Sequence, residues 1–350
     1  MSTIYSSLLL ENVDTERVKA SLKHLKEIED IPYQSLDIKI TSDSSLDLRI
    51  EYPLNIFDKS VSQFMAVLFG ELAFMRSFGK LTFTNLEIPE EVYSWFGGPK
   101  FGHEEVMKRF GVKESPMLVA IIKPSLGENL RINDIEEKIE GALAGGFHAV
   151  KDDEMQGDLL FAPLQDRLQL AKKIVRYIPA LNLDSNDAYE RALSDAKIGM
   201  VIINASTLGF PMLHSIKSRS NVPIFSHNAM QGTFQYSFRP KVFAFLHRLF
   251  GCDAFLNPIG DVDYYRISVA EEHEMALEFT RDLPIKKTLP LLGGGARLHN
   301  LEQIMPFYEE NSIPYGLVFG TLIFVSEQPP KEMARLVVER VKEIKENISK

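Results

Sequence analysis

The chain has 350 residues, 45% of them apolar and 25% charged, with a formal charge of -9 and a single cysteine. That length suits a barrel plus one smaller domain around a large buried core. The acidic balance, with lysines and arginines scattered among acids, argues against nucleic acid as a partner, and Cys252 alone excludes an intramolecular disulfide or a cysteine-rich metal site.

The N-terminal stretch MSTIYSSLLLENVDTERVK lacks the basic start and long apolar run of a secretory signal. No apolar run approaches the roughly 20 residues that span a bilayer. With one cysteine this reads as a soluble cytoplasmic protein without membrane partners. Ile4–Leu10 reads as a strand, and 14–28 alternates apolar and charged residues at helical spacing. Residues 36–40 and 46–52 read as strands flanking a Ser/Asp turn, 61–74 as an apolar helix and 81–88 as a further strand. Strands and helices mixed in this way predict an α+β domain on an antiparallel sheet. The glycine- and proline-punctuated Phe96–Gly102 (FGGPKFG) marks its end.

Beyond it the pattern changes. Short apolar runs at 117–122, 147–150, 180–183, 200–203, 222–225, 254–256, 289–292 and 317–319 each end in polar residues or glycine and lead into helical stretches. Eight such strands predict a (β/α)8 barrel, with room for only a short helix between the third and fourth. A doubly wound sheet is disfavoured, because no dinucleotide glycine fingerprint follows the first strand. Barrel chemistry sits at the strand ends, which selects Lys123, Lys151–Glu154, Asp184, Asn204, His227, Asn257, Gly293–Gly295 and Gly320.

GGFHAVKDDE (Gly145–Glu154) delivers four charged residues to that mouth. Strand alternation puts Lys151 and Asp153 on one face and Asp152 on the other. Asp153 and Glu154 suit a hard cation such as Mg2+, which takes one or two carboxylates and keeps several waters. Lys151 has two readings on pattern alone. It salt-bridges the acids, or it has a lowered pKa, adds carbon dioxide and becomes a carbamate, a third anionic oxygen ligand.

KDDE behind a double glycine and an apolar strand resembles the metal-binding segment of RuBisCO, whose lysine is carbamylated. IIKPSLGE (Ile121–Glu128) resembles the end of that family's first barrel strand, and FGGPKFGHEEVMKRFGV (Phe96–Val112) its inter-domain segment. IEYPLNIF and VLFGELAF resemble parts of its N-terminal domain. These segments run in order over most of the chain, which is identified as a member of the RuBisCO superfamily, a RuBisCO-like protein. The resemblance implies an α/β protein: an N-terminal α+β (ferredoxin-like) domain over 1–105 and a (β/α)8 TIM barrel over 106–350. It implies Mg2+ held by carbamylated Lys151 with Asp153 and Glu154, and a homodimer in which each site is completed from two chains. Lys123 falls where the family has a lysine beside the substrate that takes part in proton transfer. His227 in SHNAMQ matches a substrate-facing histidine. Glu71 falls where carboxylases have an asparagine and methionine-salvage enolases a lysine base, a position that reaches the partner subunit's site.

The departures are as informative. Ser125 stands where carboxylating members have a second lysine, and the sixth loop, FLNPIGDVDYY, carries Asp261 and Asp263 and no lysine. Both oppose carbon dioxide fixation. Asn228 replaces a phosphate-binding arginine and Gln231 a second histidine. LLGGGAR (Leu291–Arg297) resembles the family's phosphate-binding Ser-Gly-Gly with Gly293 in place of serine. A run such as Gly293, Gly294 and Gly295 either cradles an anion on successive N–H groups or simply makes a tight turn. Gly320 and Thr321 are kept after the eighth strand, but the usual glycine triplet is not. Recognition of one phosphate is expected, and of two is not.

The expected function is therefore a Mg2+-dependent enolase or isomerase. It abstracts a proton next to a carbonyl of a phosphorylated keto-sugar or of a diketo-phosphate such as 2,3-diketo-5-methylthiopentyl-1-phosphate. The rival readings are a catalytically inactive binding or regulatory homologue, and a metal-free aldolase using Lys123 as a Schiff base.

Overall fold

A computed structural model describes residues 3–29, 36–42, 44–127, 130–194, 197–262 and 266–350. The N-terminal strands are β1 (Thr3–Glu11), β2 (Leu36–Ser42), β3 (Ser45–Pro53) and β4 (Lys80–Glu87), in the antiparallel order β2-β3-β1-β4. Ile4, Ser6, Leu8 and Leu10 are buried and lie opposite Tyr52, Ile50, Leu48 and Leu46, so the period-two pattern sets one inward face. Helix Thr15–Glu29 buries Val18, Leu22 and Leu25, spaced at three and four residues as an amphipathic helix requires.

The apolar stretch 61–74 is not the single helix its composition suggests. It is an α-turn over Val61–Met65, a π-turn over Ala66–Gly70 and a 3-10 turn over Leu72–Phe74. Phe64, Leu68 and Leu72 are buried while Phe74 is 87% exposed. Anchoring those three residues in the core leaves the turns between them to adjust.

The remaining strands are β5 (Met117–Ile121), β6 (Ala149–Lys151), β7 (Tyr177–Ile178), β8 (Ala180–Leu181), β9 (Val201–Ile203), β10 (Ile224–Ser226), β11 (Ala254–Pro258), β12 (Leu289–Gly293) and β13 (Gly316–Phe319). They form a parallel sheet in the order β7-β6-β5-β13-β12-β11-β10-β9-β8. Its two ends flank Pro179 in one continuous stretch, so the ring closes and the third barrel position is a strand interrupted at a proline. The short connection expected between the third and fourth positions is the eight-residue helix Asn186–Leu193.

Two apolar layers hold the barrel. Met117, Val119, Ala149, Ile178, Ala180, Met200, Ile202, Phe225, Leu256, Leu291 and Val318 share one interior cluster, closed from below by Val106 and Phe110 around helix Gly102–Arg109. The alternate residues pack outward against the helices. The N-terminal sheet is fastened to the barrel through Phe83. Its N–H donates to the Ser237 carbonyl (2.8 Å) and its carbonyl accepts from Arg239 N (2.9 Å). Phe69, Phe83 and Phe238 pack as a ring cluster across that seam, with centroids 4.7–5.2 Å apart. No helix among the described residues is long and apolar enough to cross a membrane.

Candidate active site at the barrel mouth

Continuing the interior alternation by one or two residues past each strand gives the side chains at the mouth. Val119 leads to Ile121 and Lys123, Ala149 to Lys151 and Asp153, Ala180 to Asn182, Ile202 to Asn204, and Phe225 to His227. Leu291 leads to Gly293, and Val318 to Gly320. The mouth is thus the next layer of the barrel, made of polar groups and glycines.

Lys123 forms an ion pair with Asp153. Lys123 is 29% exposed while Asp153 is buried, so the lysine brings its charge from the open side. Gly320 flanks its stem: a Cβ there would lie 3.8 Å from Lys123 Cγ. Lys138 Nζ donates to the Lys123 carbonyl (3.1 Å), which fixes the backbone beneath it. Lys151 is fully buried, donates to the Asp152 carbonyl (2.8 Å) and lies 5.8 Å from the Phe225 ring centroid. Burial depresses its ammonium below the usual lysine range, against the pull of Glu154 and Asp153, and Lys123 adds to the depression.

Glu154 reaches back over the barrel, as a residue at a strand end can, and its Oε2 lies 3.3 Å from His227 Nε2. Burial, with the charges of Lys151 and Lys123, holds His227 well below the usual histidine range. The buried Nδ1 of His227 has no hydrogen-bond partner among the described residues. The Glu154 carbonyl accepts from Asn204 Nδ2 and Asn182 Nδ2, both at 2.9 Å, and Asn182 also bonds the Gln156 carbonyl (2.7 Å). Asn204 Oδ1 is buried.

Asp152 serves the other side of the wall. It pairs with the buried Arg167 of helix Leu164–Lys173 and accepts from Tyr177 Oη (2.6 Å) and Ala180 N (3.0 Å). Sequence reasoning placed Asp152 on that face but did not find its partners. The signal was present: Leu164, Arg167, Leu168 and Ala171 make one helical stripe, and an arginine on an otherwise apolar stripe demands a buried acid.

Two strand-end positions selected from the sequence lie elsewhere. Asn257 falls on the outward alternation and donates to the Glu272 carbonyl (3.2 Å) behind the barrel. At the third strand the inward alternation reaches Asn182 rather than Asp184. On the sixth loop, Asp261 accepts from Val269 N (3.4 Å) at the start of helix Val269–Thr280, so that charge serves a helix terminus; Asp263 lies outside the described residues. Ser125, in the position of the second lysine, is buried and its carbonyl accepts from Gln156 Nε2 (2.7 Å).

Gly294 and Gly295 have φ of 81° and 144°, which L side chains rarely adopt, and a Cβ on Gly293 would meet Leu256 at 2.7 Å. Asn300 Nδ2 braces this turn through the Gly295 carbonyl (2.9 Å). Asn228 and Gln231 are buried and line a cavity between the fifth and sixth loops. Glu71 is exposed next to Phe74. Among the described residues no group of three or more His, Cys, Asp or Glu side chains is placed to hold a metal ion.

No family model matches the chain. Among curated proteins it is 27% identical over 310 residues to the 2,3-diketo-5-methylthiopentyl-1-phosphate enolase of Exiguobacterium sibiricum, covering 79% of this chain and 76% of that one. It is 26% identical over 304 residues to a ribulose bisphosphate carboxylase-like protein of Allochromatium vinosum, covering 81% and 65%. Over most of its length the chain is thus similar to RuBisCO-like proteins of the RuBisCO superfamily. Solved structures agree on the fold. The octameric RuBisCO of Pyrococcus horikoshii matches with a TM-score of 0.88 at 17% identity, over 99% of this chain and 90% of that one. A RuBisCO-like protein of Rhodopseudomonas palustris matches at 0.82 and 20%, over 98% of each.

Proposed function

We propose that this RuBisCO-like protein is an enolase-type enzyme that moves a proton from the carbon next to a carbonyl of a phosphorylated keto compound onto the carbonyl oxygen. The observation that carries the reading is the convergence of Lys123, Lys151, Asp153, Glu154 and His227 on one inward layer. A diketo-phosphate like the substrate in the name of the Exiguobacterium relative is the first candidate. Carboxylation is not its reaction: Ser125 and a lysine-free sixth loop lack the two cations that chemistry uses.

The donor set fits Mg2+ by charge count. With Lys151 as a carbamate, it, Asp153 and Glu154 carry three negative charges against the divalent ion and Lys123, and the cluster is neutral. Mg2+ held by these three groups would supply Lewis-acid polarisation of the substrate carbonyl. Lys123, on the exposed side of the cluster, moves the carbon-bound proton. His227 offers its unpartnered Nδ1 to a substrate hydroxyl, and the Asn182–Asn204 pair fixes the Glu154 backbone so that its carboxylate stays on His227. The glycine turn at 293–295 takes the substrate phosphate on backbone N–H groups.

The exposed Glu71 and Phe74 support a homodimer in which Glu71 approaches the partner's mouth, and the buried free thiol of Cys252 supports a cytoplasmic setting. The reading is tested by Lys123→Met, with folding checked by circular dichroism. Exchange of solvent deuterium into 2,3-diketo-5-methylthiopentyl-1-phosphate, followed by NMR, should fall at least 100-fold. Unchanged exchange removes Lys123 from the mechanism.

A further inference from the structure

Proton transfer by Lys123 needs its ammonium in one place, yet a lysine carries that group on a flexible four-carbon stem. The backbone beneath it therefore has to be held. Three contacts do so. Ile122 N donates to the Lys151 carbonyl (3.0 Å), Gln156 Nε2 to the Ser125 carbonyl (2.7 Å), and Lys138 Nζ to the carbonyl of Lys123 itself (3.1 Å). The first two join Lys123's own segment to the strand and loop that carry Lys151 and Asp153. The third comes from a helix on the outer side of the barrel.

Lys138 lies on helix Ile132–Ala144, between Ile135 and Ile139 of its buried face. A lysine on such a flank ordinarily reaches water or pairs with an acid four residues back. Asp134 is that acid, and its carboxylate accepts from Arg131 N at the helix start (2.7 Å). Lys138 is half-buried, with its ammonium on the Lys123 carbonyl and 5.2 Å from the centre of the Phe324 ring. Phe324 ends the short helix Thr321–Phe324, which starts from Gly320, the residue that flanks the Lys123 stem. Burial lowers the Lys138 ammonium below the usual lysine range, against the pull of Asp134. Desolvating this charge is a cost that an apolar side chain of similar length would avoid. A ring face and a carbonyl of the first loop are what offset it.

We propose that Lys138 is a positioning residue for proton transfer: bonded to the Lys123 carbonyl and packed on Phe324, it ties the first loop to the eighth and fixes where the Lys123 ammonium stands. The proposal rests on Lys123 as the group that moves the proton. It adds a residue that strand ends cannot reveal, because Lys138 belongs to a helix. A charged donor suits the task, since its hydrogen bond to the carbonyl is stronger than a neutral one and is shielded from competing water by the ring.

The test is deuterium exchange from solvent into 2,3-diketo-5-methylthiopentyl-1-phosphate by wild type, Lys138→Met, Lys138→Arg, Lys123→Met and the double variant, with a thermal melt of each. Lys138→Met should lose about tenfold in kcat, the scale of a reacting group displaced by a fraction of an ångström, with KM and Mg2+ affinity close to wild type. Lys138→Gln, still polar but too short to reach the carbonyl, should show the same loss, so the outcome does not hang on one substitution. Lys138→Arg keeps a charged donor and should restore most of the rate. On the Lys123→Met background, Lys138→Met should lower the residual exchange no further, because nothing is left to position. Equal losses on both backgrounds, or wild-type exchange in Lys138→Met and Lys138→Gln, overturn the proposal and leave Lys123 in its role. No exchange in wild type, or undiminished exchange in Lys123→Met, removes the role of Lys123 and the proposal with it.

Discussion

Asp152 and Asp153 are neighbours with the same side chain, and they belong to two regions with different physics. Asp152 points into the wall between barrel and helices, where Arg167, Tyr177 and Ala180 N all donate to it and nothing reaches solvent. Burial, and then the Asp152 carboxylate, pushes the Tyr177 hydroxyl well above its usual range, so it stays a donor. Asp153 points to the mouth, where its ion-pair partner Lys123 is partly open to water and its other oxygen accepts from Met155 N (3.2 Å). The wall satisfies its charge completely. The mouth holds unpartnered polar atoms on His227, Asn204 and Gln156. Burial with full satisfaction specifies structure, whereas burial with leftover capacity makes a place for a ligand.

The largest expected effect is on the wall. Asp152→Ala strands the buried Arg167 and should cost about 3–5 kcal/mol of stability, read from urea denaturation. A loss no greater than that of Asp153→Asn would break the comparison.

Next is acid sensitivity in the outer layer. His247 is fully buried among the rings of Phe210, Phe243 and Phe255, with Nδ1 on the Phe243 carbonyl (2.9 Å), and burial lowers its pKa to about 4. Above pH 6.5 both folded and unfolded states carry it neutral, and it contributes no pH dependence. As the pH falls from 6.5 to 4 the unfolded chain takes up a proton that the folded one refuses, so about 3 kcal/mol is lost across that window and no more below it. His247→Gln should flatten that part of the stability–pH curve; an unchanged slope would show that other groups set it.

The smallest effect on stability is expected at the mouth. Asp153→Asn should change unfolding free energy by about 1 kcal/mol or less, because Lys123 can turn to water. The same variant should lose Mg2+ affinity by calorimetry. In wild type that affinity should rise with bicarbonate, and in Lys151→Ala it should not. Mg2+ binding of wild-type strength in Asp153→Asn would remove Asp153 from the ligand set.

Much of this was legible in the sequence. Seven of the eight barrel strands and all four N-terminal strands fall within a few residues of their apolar runs, because a buried strand declares itself by local composition and alternation. The third barrel strand begins earlier than its run suggests, since Pro179 splits it into two hydrogen-bonded pieces. The helix read over 61–74 breaks into three kinds of turn, because three anchored side chains outweighed a regular period. At the site, Lys123, Lys151, Asp153, Glu154 and His227 were found from strand ends, whereas Asn182 was missed by two residues of register and Asn257 was taken from the wrong face.

By itself the sequence determined which residues face into the barrel, since alternation along a strand is a property of the local backbone and carries on into the residues just past its end. The tertiary structure alone decided which loops meet. Arg266 stands 38 residues from Asn228 in the chain and reaches the same cavity only because β10 and β11 pair side by side and the Phe83 seam holds the wall between them. No periodicity encodes a contact between the ends of two loops; closure of the ring creates it.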